Sequence, residues 1–190
     1  MVAGLVGSAI AVLFTTMTRM LTFLAECLSS VLRPSTGGLL LGLLAIATPC
    51  ALTNGEWQLV SLTGAVTVSA LAIAALGKLA GAAVAVAFGW RGGFIIPLFF
   101  VGSCVGRAMA ERLPGATDWA VMAAANVGVT KTPLGSTLLV TEMSGMTVLP
   151  STLLASLAAL ILTTRLGVIE AQRQRVDAYG ARHGATRPNQ

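Results

Sequence analysis

Charged side chains are scarce in this sequence. Of its 190 residues, 10% are charged and 55% are hydrophobic, and the mean hydropathy is +0.84. Soluble domains carry about 25% charged residues. The composition therefore excludes an ordinary soluble domain. It indicates a membrane protein whose surface contacts membrane lipid.

Residues suited to metal binding or nucleophilic catalysis are equally few. The single histidine, His183, lies in the polar C-terminal stretch. Cys27, Cys50 and Cys104 are odd in number and show no C-x-x-C spacing, so we expect neither a disulfide framework nor a metal site. An intramembrane enzyme needs a nucleophile and a base facing each other, and Ser144-Gly145 lacks the preceding G-x of a rhomboid-like site. We therefore expect that this chain has no enzymatic activity and binds no cofactor.

The positive charge is concentrated at the C-terminus. Five arginines lie at or beyond the end of the last apolar segment, against Glu170 and Asp177; they are Arg165, Arg173, Arg175, Arg182 and Arg187. Under the positive-inside rule this pattern indicates a cytoplasmic tail. Nucleic-acid binding is the alternative for a basic tail, and we expect no such partner. The sequence thus predicts a membrane domain over 1–167, multi-pass in the plasma membrane, and a basic tail over 168–190.

Apolar segments of unequal length fill the predicted membrane domain. Residues 2–32 and 60–88 are long enough for a simple transmembrane helix, which needs ~20 apolar residues. Residues 37–52 and 98–110 are shorter, and glycine and proline interrupt them. Such segments indicate broken helices that meet at a site near the membrane midplane. We therefore expect an all-α integral membrane fold with broken and tilted helices.

Small residues recur at four-residue spacing along these segments. The pairs are Gly4 and Ser8, Gly38 and Gly42, Gly77 and Gly81, and Gly102 and Gly106. This spacing lets helices approach closely. It keeps open an alternative function, a non-transport membrane protein that uses small-residue helix faces for association.

The most informative break is the run from Gly89 to Pro97. Irregular backbone at membrane depth must line a cavity or be buried in protein, and free N–H groups at a helix start can hold an anion. Pro97 suits a first helical turn, and Arg91 could add positive potential. A plain loop between two spans is the alternative interpretation.

The residues of this break resemble a known family. Gly93-Phe94-Ile95-Ile96-Pro97 is similar to the G-x-F-x-P anion-binding motif of the CLC chloride channels and chloride/proton antiporters. Leu76-Gly77-Lys78 leading to Gly92-Gly93 resembles the helix before that filter. Thr130-Lys131-Thr132-Pro133-Leu134 resembles the family's basic-x-Pro-Leu break, and Leu139 to Gly145 resembles its acidic segment. These matches stand in the family's order between residues 76 and 145.

The resemblance implies the second inverted repeat of the CLC fold and chloride as a transported ligand. Backbone amides in the segment Gly93, Phe94, Ile95, Ile96, Pro97 would hold the anion. Lys131, Pro133 and Glu142 would be pore or structural positions, and Tyr179, the only tyrosine, would be the inner-gate residue. Glu142 could instead be a structural carboxylate satisfied by backbone N–H groups or by Lys131. Both channel and antiporter remain open, as does the choice of anion.

The sequence departs from the family in three respects. The family's inner-gate tyrosine should follow the last apolar span, but Tyr179 lies 12 residues beyond Gly167 in a charged stretch. The family's filter phenylalanine belongs at Ile95, but here it stands one residue earlier, at Phe94. The first-half motifs G-S-G-I-P and G-[K/R]-E-G-P do not occur in these 190 residues. We therefore expect an incomplete anion site, and a homodimer or a pairing with a missing first half.

Overall fold

The computed structural model describes residues 1–29, 31–52, 55, 58, 67–90, 92–110 and 117–164. The regular structure in these ranges is helical, as the sequence predicts. Seven α-helices are placed there: α1 (Val2–Glu26), α2 (Leu32–Ala47), α3 (Val68–Ala87), α4 (Ile95–Ala110), α5 (Asp118–Thr130), α6 (Pro133–Ser144) and α7 (Leu149–Leu162). Two 3₁₀ turns, Pro49–Ala51 and Met146–Val148, follow α2 and precede α7. The predicted tail over 168–190 lies outside the described residues.

Helix α5 is the centre of the structure. Every residue from Ala120 to Val129 is buried, and α5 packs against α1, α4, α6 and α7. A helix that is apolar on all sides is expected in a protein interior rather than at a surface. Its alanines give α5 a small radius, which brings the surrounding helices close together.

Glycines on the neighbouring helices permit this close packing. A Cβ atom on Gly106 would lie 2.4 Å from Asp118 Cα, and one on Gly102 would lie 2.6 Å from Met122 Cα. On α1, a Cβ on Gly4 would lie 2.7 Å from Ala158 Cβ of α7. The small-residue spacing therefore predicted close contacts correctly at Gly4, Gly102 and Gly106, and the structure places these contacts inside one chain. At Gly42, by contrast, a Cβ would meet nothing within 4 Å.

Within the described part of the chain, two helices, α1 and α3, are long and apolar enough to cross a membrane by length and composition. The segments Leu32–Ala47, Ile95–Ala110 and Met146–Leu162 are apolar but shorter. Helix α4 begins at Ile95, two residues before Pro97, near which the sequence predicts the helix start. Ile95, Ile96 and Pro97 of the predicted anion-binding segment therefore lie in the first turn of α4, and Gly93 and Phe94 precede it.

Candidate functional site

The interruption between α3 and α4 begins with a tight helix ending. Gly89 has a φ of 85°, in the left-handed region, where a glycine avoids the steric cost of a Cβ. Its N–H donates to Val86 O at 3.3 Å, and Trp90 N–H donates to Ala85 O at 2.9 Å. These two bonds form a Schellman motif, which satisfies the last carbonyls of a helix. The backbone turn thus depends on Gly89, the first residue of the predicted break.

Helix α4 then starts with free backbone donors. The first four N–H groups of a helix have no intrahelical acceptor, and Pro97 has no N–H to satisfy. The first-turn bond of α4 runs from Leu98 N to Phe94 O at 3.1 Å, so the amides of Ile95 and Ile96 precede it. A Cβ on Gly93 would meet nothing within 4 Å. Open space therefore lies beside a helix start, where the macrodipole favours negative charge.

A cavity of about 290 Å³ joins this helix start to the two preceding helices. Gly92, Gly93, Phe94 and Pro97 line it together with α2, the first 3₁₀ turn and α3. Lys78 of α3 is in the same lining, although its side chain is only 1% exposed. The break and a buried cation therefore share one cavity.

Lys78 is held by contacts from three parts of the chain. Its Nζ donates to Leu52 O at 2.9 Å and lies 5.4 Å from the centre of the Phe100 ring of α4. A Cβ on Gly55 would approach Lys78 Cε to 3.3 Å. Lys78 is the one charged residue of α3, an apolar helix of membrane length, and such a residue is a functional candidate. That signal is present in the sequence, but the sequence prediction of the site omitted Lys78.

The exchange of Phe94 and Ile95 has a visible structural consequence. Phe94 is half-buried and faces Phe14 of α1, with ring centroids 6.2 Å apart and planes tilted by 33°. Ile95 is 40% exposed. The aromatic ring thus anchors the break to α1 and also lines the cavity. Its displacement by one residue leaves an aliphatic side chain at the position where the family has phenylalanine.

The second predicted break, Lys131–Pro133, connects α5 to α6. Lys131 is half-buried, has a φ of 60°, and ends α5 in the left-handed conformation. Its Nζ donates to Gly128 O at 2.6 Å and to Thr163 O at the end of α7. Pro133 is the first residue of α6. Lys131 therefore links the ends of α5 and α7 by hydrogen bonds, which is a structural role.

Glu142 does not join this arrangement. Glu142 is exposed in the last turn of α6, which puts about 14 Å of helix between it and Pro133 at 1.5 Å per residue. The structure therefore does not bring Glu142 to Lys131, the basic partner that the sequence suggested. Tyr179 lies outside the described residues.

The family model for voltage gated chloride channels matches residues 1–164. The match covers most of the 190 residues, and the chain therefore belongs to this family. The CLC resemblance that the motifs carry is confirmed. The family consists of channels and transporters, which are membrane proteins and not enzymes.

Two curated relatives are similar over nearly the whole chain. A "Chloride/fluoride channel protein" of Pseudomonas syringae pv. tomato is 28% identical over 181 residues, covering 90% of this chain and 40% of the relative. A "Voltage-gated ClC-type chloride channel ClcB" of Citrobacter koseri is 31% identical over 186 residues, covering 92% of this chain and 44% of the relative. The chain spans about two fifths of the length of these relatives.

Proposed function

We propose that this chain forms one wall of an anion pathway and takes part in the transport of chloride or another small anion. The observation that carries the proposal is the shared cavity of the α4 helix start and Lys78. An anion leaving water needs donors and positive charge to replace its hydration. First-turn amides and a buried ammonium group supply both.

We propose that a second wall completes the pathway. The amides of α4 face open space at Gly92 and Gly93, where a Cβ would meet nothing within 4 Å. The matched relatives are more than twice as long as this chain. The second wall is therefore assigned either to a segment equivalent to the unmatched part of those relatives or to a second copy of this chain.

We also propose a plasma-membrane location with the basic tail in the cytoplasm. The arginine excess of residues 168–190 supports this orientation. Large apolar side chains are exposed on α1 and α7, among them Leu5, Phe23, Leu154 and Ile161. These faces suit contact with lipid or with a homodimer partner. The names of the relatives make chloride and fluoride the first anions to test.

A purely associative function has less support. The small residues that suggested it make their close contacts within the chain. Gly102 and Gly106 pack on α5, and Gly77 packs on Thr48. They therefore support the fold and leave few small-residue faces for a partner helix.

A glycine substitution at the helix start tests the proposal. We expect Gly93→Leu to weaken chloride affinity at least about tenfold, because a bulky side chain beside the α4 amides removes at least about 1.4 kcal/mol of their interaction with the ion. Isothermal titration of the purified protein with chloride measures this affinity. Gly42→Leu is the matched control, because a Cβ there also meets nothing within 4 Å; it should leave affinity unchanged.

Oligomer size and ion flux separate the competing functions. An associative protein would keep its oligomer in both variants and would show no chloride affinity in the unsubstituted protein or in Gly42→Leu. That result would refute the anion site. In liposomes, the chain reconstituted alone is expected to give no selective chloride efflux, since one wall of the site is present. Robust selective efflux from the chain alone would contradict the second-wall proposal.

A further inference from the structure

The first turn of α2 is hydrogen-bonded to the start of the α3–α4 break. Arg33 donates from Nε and Nη2 to Ala87 O, at 3.2 Å and 2.5 Å. Trp90 Nε1 donates back to Pro34 O at 3.1 Å. Two successive residues of α2 therefore hold the segment from Ala87 to Trp90.

The same face of α2 covers the break along its length. A Cβ on Gly37 would lie 2.5 Å from Phe88 Cβ, and one on Gly38 would lie 3.4 Å from Trp90 Cζ2. Leu41, one turn further on, lines the cavity. Residues three and four apart share a helix face, so this is one continuous contact surface. It fixes the position of the Arg33 guanidinium at the end of α3.

The electrostatic setting of Arg33 follows from the two helix ends. Ala85 and Val86, near the C-terminus of α3, line the same cavity as the residues at the N-terminus of α4. The last carbonyls of a helix carry partial negative charge, and its first amides carry partial positive charge. An anion attracted by α4 would therefore be repelled by the end of α3. Arg33 places a cation on one of those carbonyls, that of Ala87.

We propose that Arg33 is a positioning residue that sets the charge preference of the cavity. It neutralises the negative end of α3, so the cavity presents the positive end of α4 and the charge of Lys78. With the Trp90 bond to Pro34, it also fixes the backbone that leads into the anion-binding segment. The inference rests on the proposed anion site and assigns Arg33 a part in it.

Trp90 provides a local reporter for this proposal, because it lines the cavity and is 50% exposed. In a protein with Trp57→Phe and Trp119→Phe, its fluorescence reports the cavity mouth. Iodide and neutral acrylamide both quench tryptophan on contact, but only iodide quenching responds to local potential. We expect Arg33→Gln to lower the iodide quenching constant about threefold, the effect of one screened charge near a helix end. Acrylamide quenching should stay within error.

Two further variants control for total charge and for shape. Arg33→Lys keeps the cation and should retain most of the iodide quenching. Arg107→Gln removes one cation from the far end of α4, where Arg107 Nε lies 4.0 Å from Asp118 Oδ2, and should leave the ratio of iodide to acrylamide quenching unchanged. Parallel changes in both quenchers after Arg33→Gln would show a structural role alone and overturn the proposal. An equal effect of Arg107→Gln would overturn it too.

The double Trp→Phe protein with Arg33 intact gives a test that does not depend on how the Arg33 variants fold. Relative to free N-acetyltryptophanamide, which corrects for the different efficiencies of the two ions, iodide should quench Trp90 more strongly than caesium does, and the reverse order would contradict a positive cavity. Chloride affinity is measured separately by calorimetry. Absent chloride affinity with the expected quenching pattern would refute the proposed anion site and leave the electrostatic role of Arg33 intact. Chloride affinity with unchanged quenching in Arg33→Gln would refute only the inference.

Discussion

Gly106→Ala is expected to lower the free energy of unfolding by about 1–3 kcal/mol, the usual cost of overpacking, and Gly106→Leu is expected to leave no folded protein. The Cβ of the new residue would lie 2.4 Å from Asp118 Cα and 3.1 Å from Asp118 N. Backbone atoms cannot rotate away as a side chain can, so α4 and α5 must separate. Because α5 is the central helix, this separation disturbs its contacts with α1, α6 and α7 as well.

The matched control is Gly135→Ala on α6, where the nearest atom to a new Cβ is Thr132 Cβ at 3.9 Å. Alanine is favoured over glycine within a helix by roughly 0.5–1 kcal/mol, so this variant should be neutral or slightly more stable. Denaturation in detergent micelles, followed by circular dichroism, compares the two. Equal stability of the two alanine variants would contradict the assigned packing of α4 on α5.

Lys78→Met is expected to weaken chloride affinity about 30-fold. For an ion bound about 8 Å from the Lys78 ammonium group, an effective dielectric constant of about 20 gives an attraction on the order of 2 kcal/mol, and each 1.4 kcal/mol is tenfold in affinity. Methionine keeps much of the side-chain volume but removes the charge from a residue that is 1% exposed. Chloride titration by calorimetry measures the change.

Two companion variants separate the charge of Lys78 from its hydrogen bond. Lys78 Nζ donates to Leu52 O, so removing the donor leaves a carbonyl to be satisfied, at a cost of about 1–3 kcal/mol in stability. Lys78→Gln keeps a donor without charge, and Lys78→Arg keeps both. Affinity should fall in the glutamine variant and survive in the arginine variant. A glutamine variant that binds chloride normally would show that Lys78 only supports the structure.

Local sequence signals predicted the interruptions of the helices well. Glycine and proline act on their own backbone, so the breaks before Pro97 and at Pro133 could be located from the sequence alone. The small residues at 102 and 106 likewise predicted close helix packing. The boundary of α4 was less accurate. The helix starts at Ile95, two residues before the proline that the sequence placed near its start.

Long-range contacts could not be predicted in the same way. Lys78 meets Leu52 across 26 residues, and Arg33 meets Ala87 across 54. Neither pairing follows from periodicity or from turn chemistry, because both depend on how α2 and α3 fold back on each other. Gly89 illustrates a second limit. It stands close to Gly92 and Gly93 in the sequence, and only the φ angle of Gly89 and the hydrogen bonds of Gly89 and Trp90 show which glycine adopts the left-handed conformation.

The most direct test of the anion site is to locate a heavy halide in the cavity. Crystals grown or soaked in bromide allow the ion to be found by its anomalous scattering. We predict a bromide peak within hydrogen-bonding reach of the Ile95 and Ile96 amide nitrogens, on the cavity side shared with Lys78, and its loss in Gly93→Leu. Bromide bound only elsewhere on the protein, with none at the start of α4, would contradict the assignment.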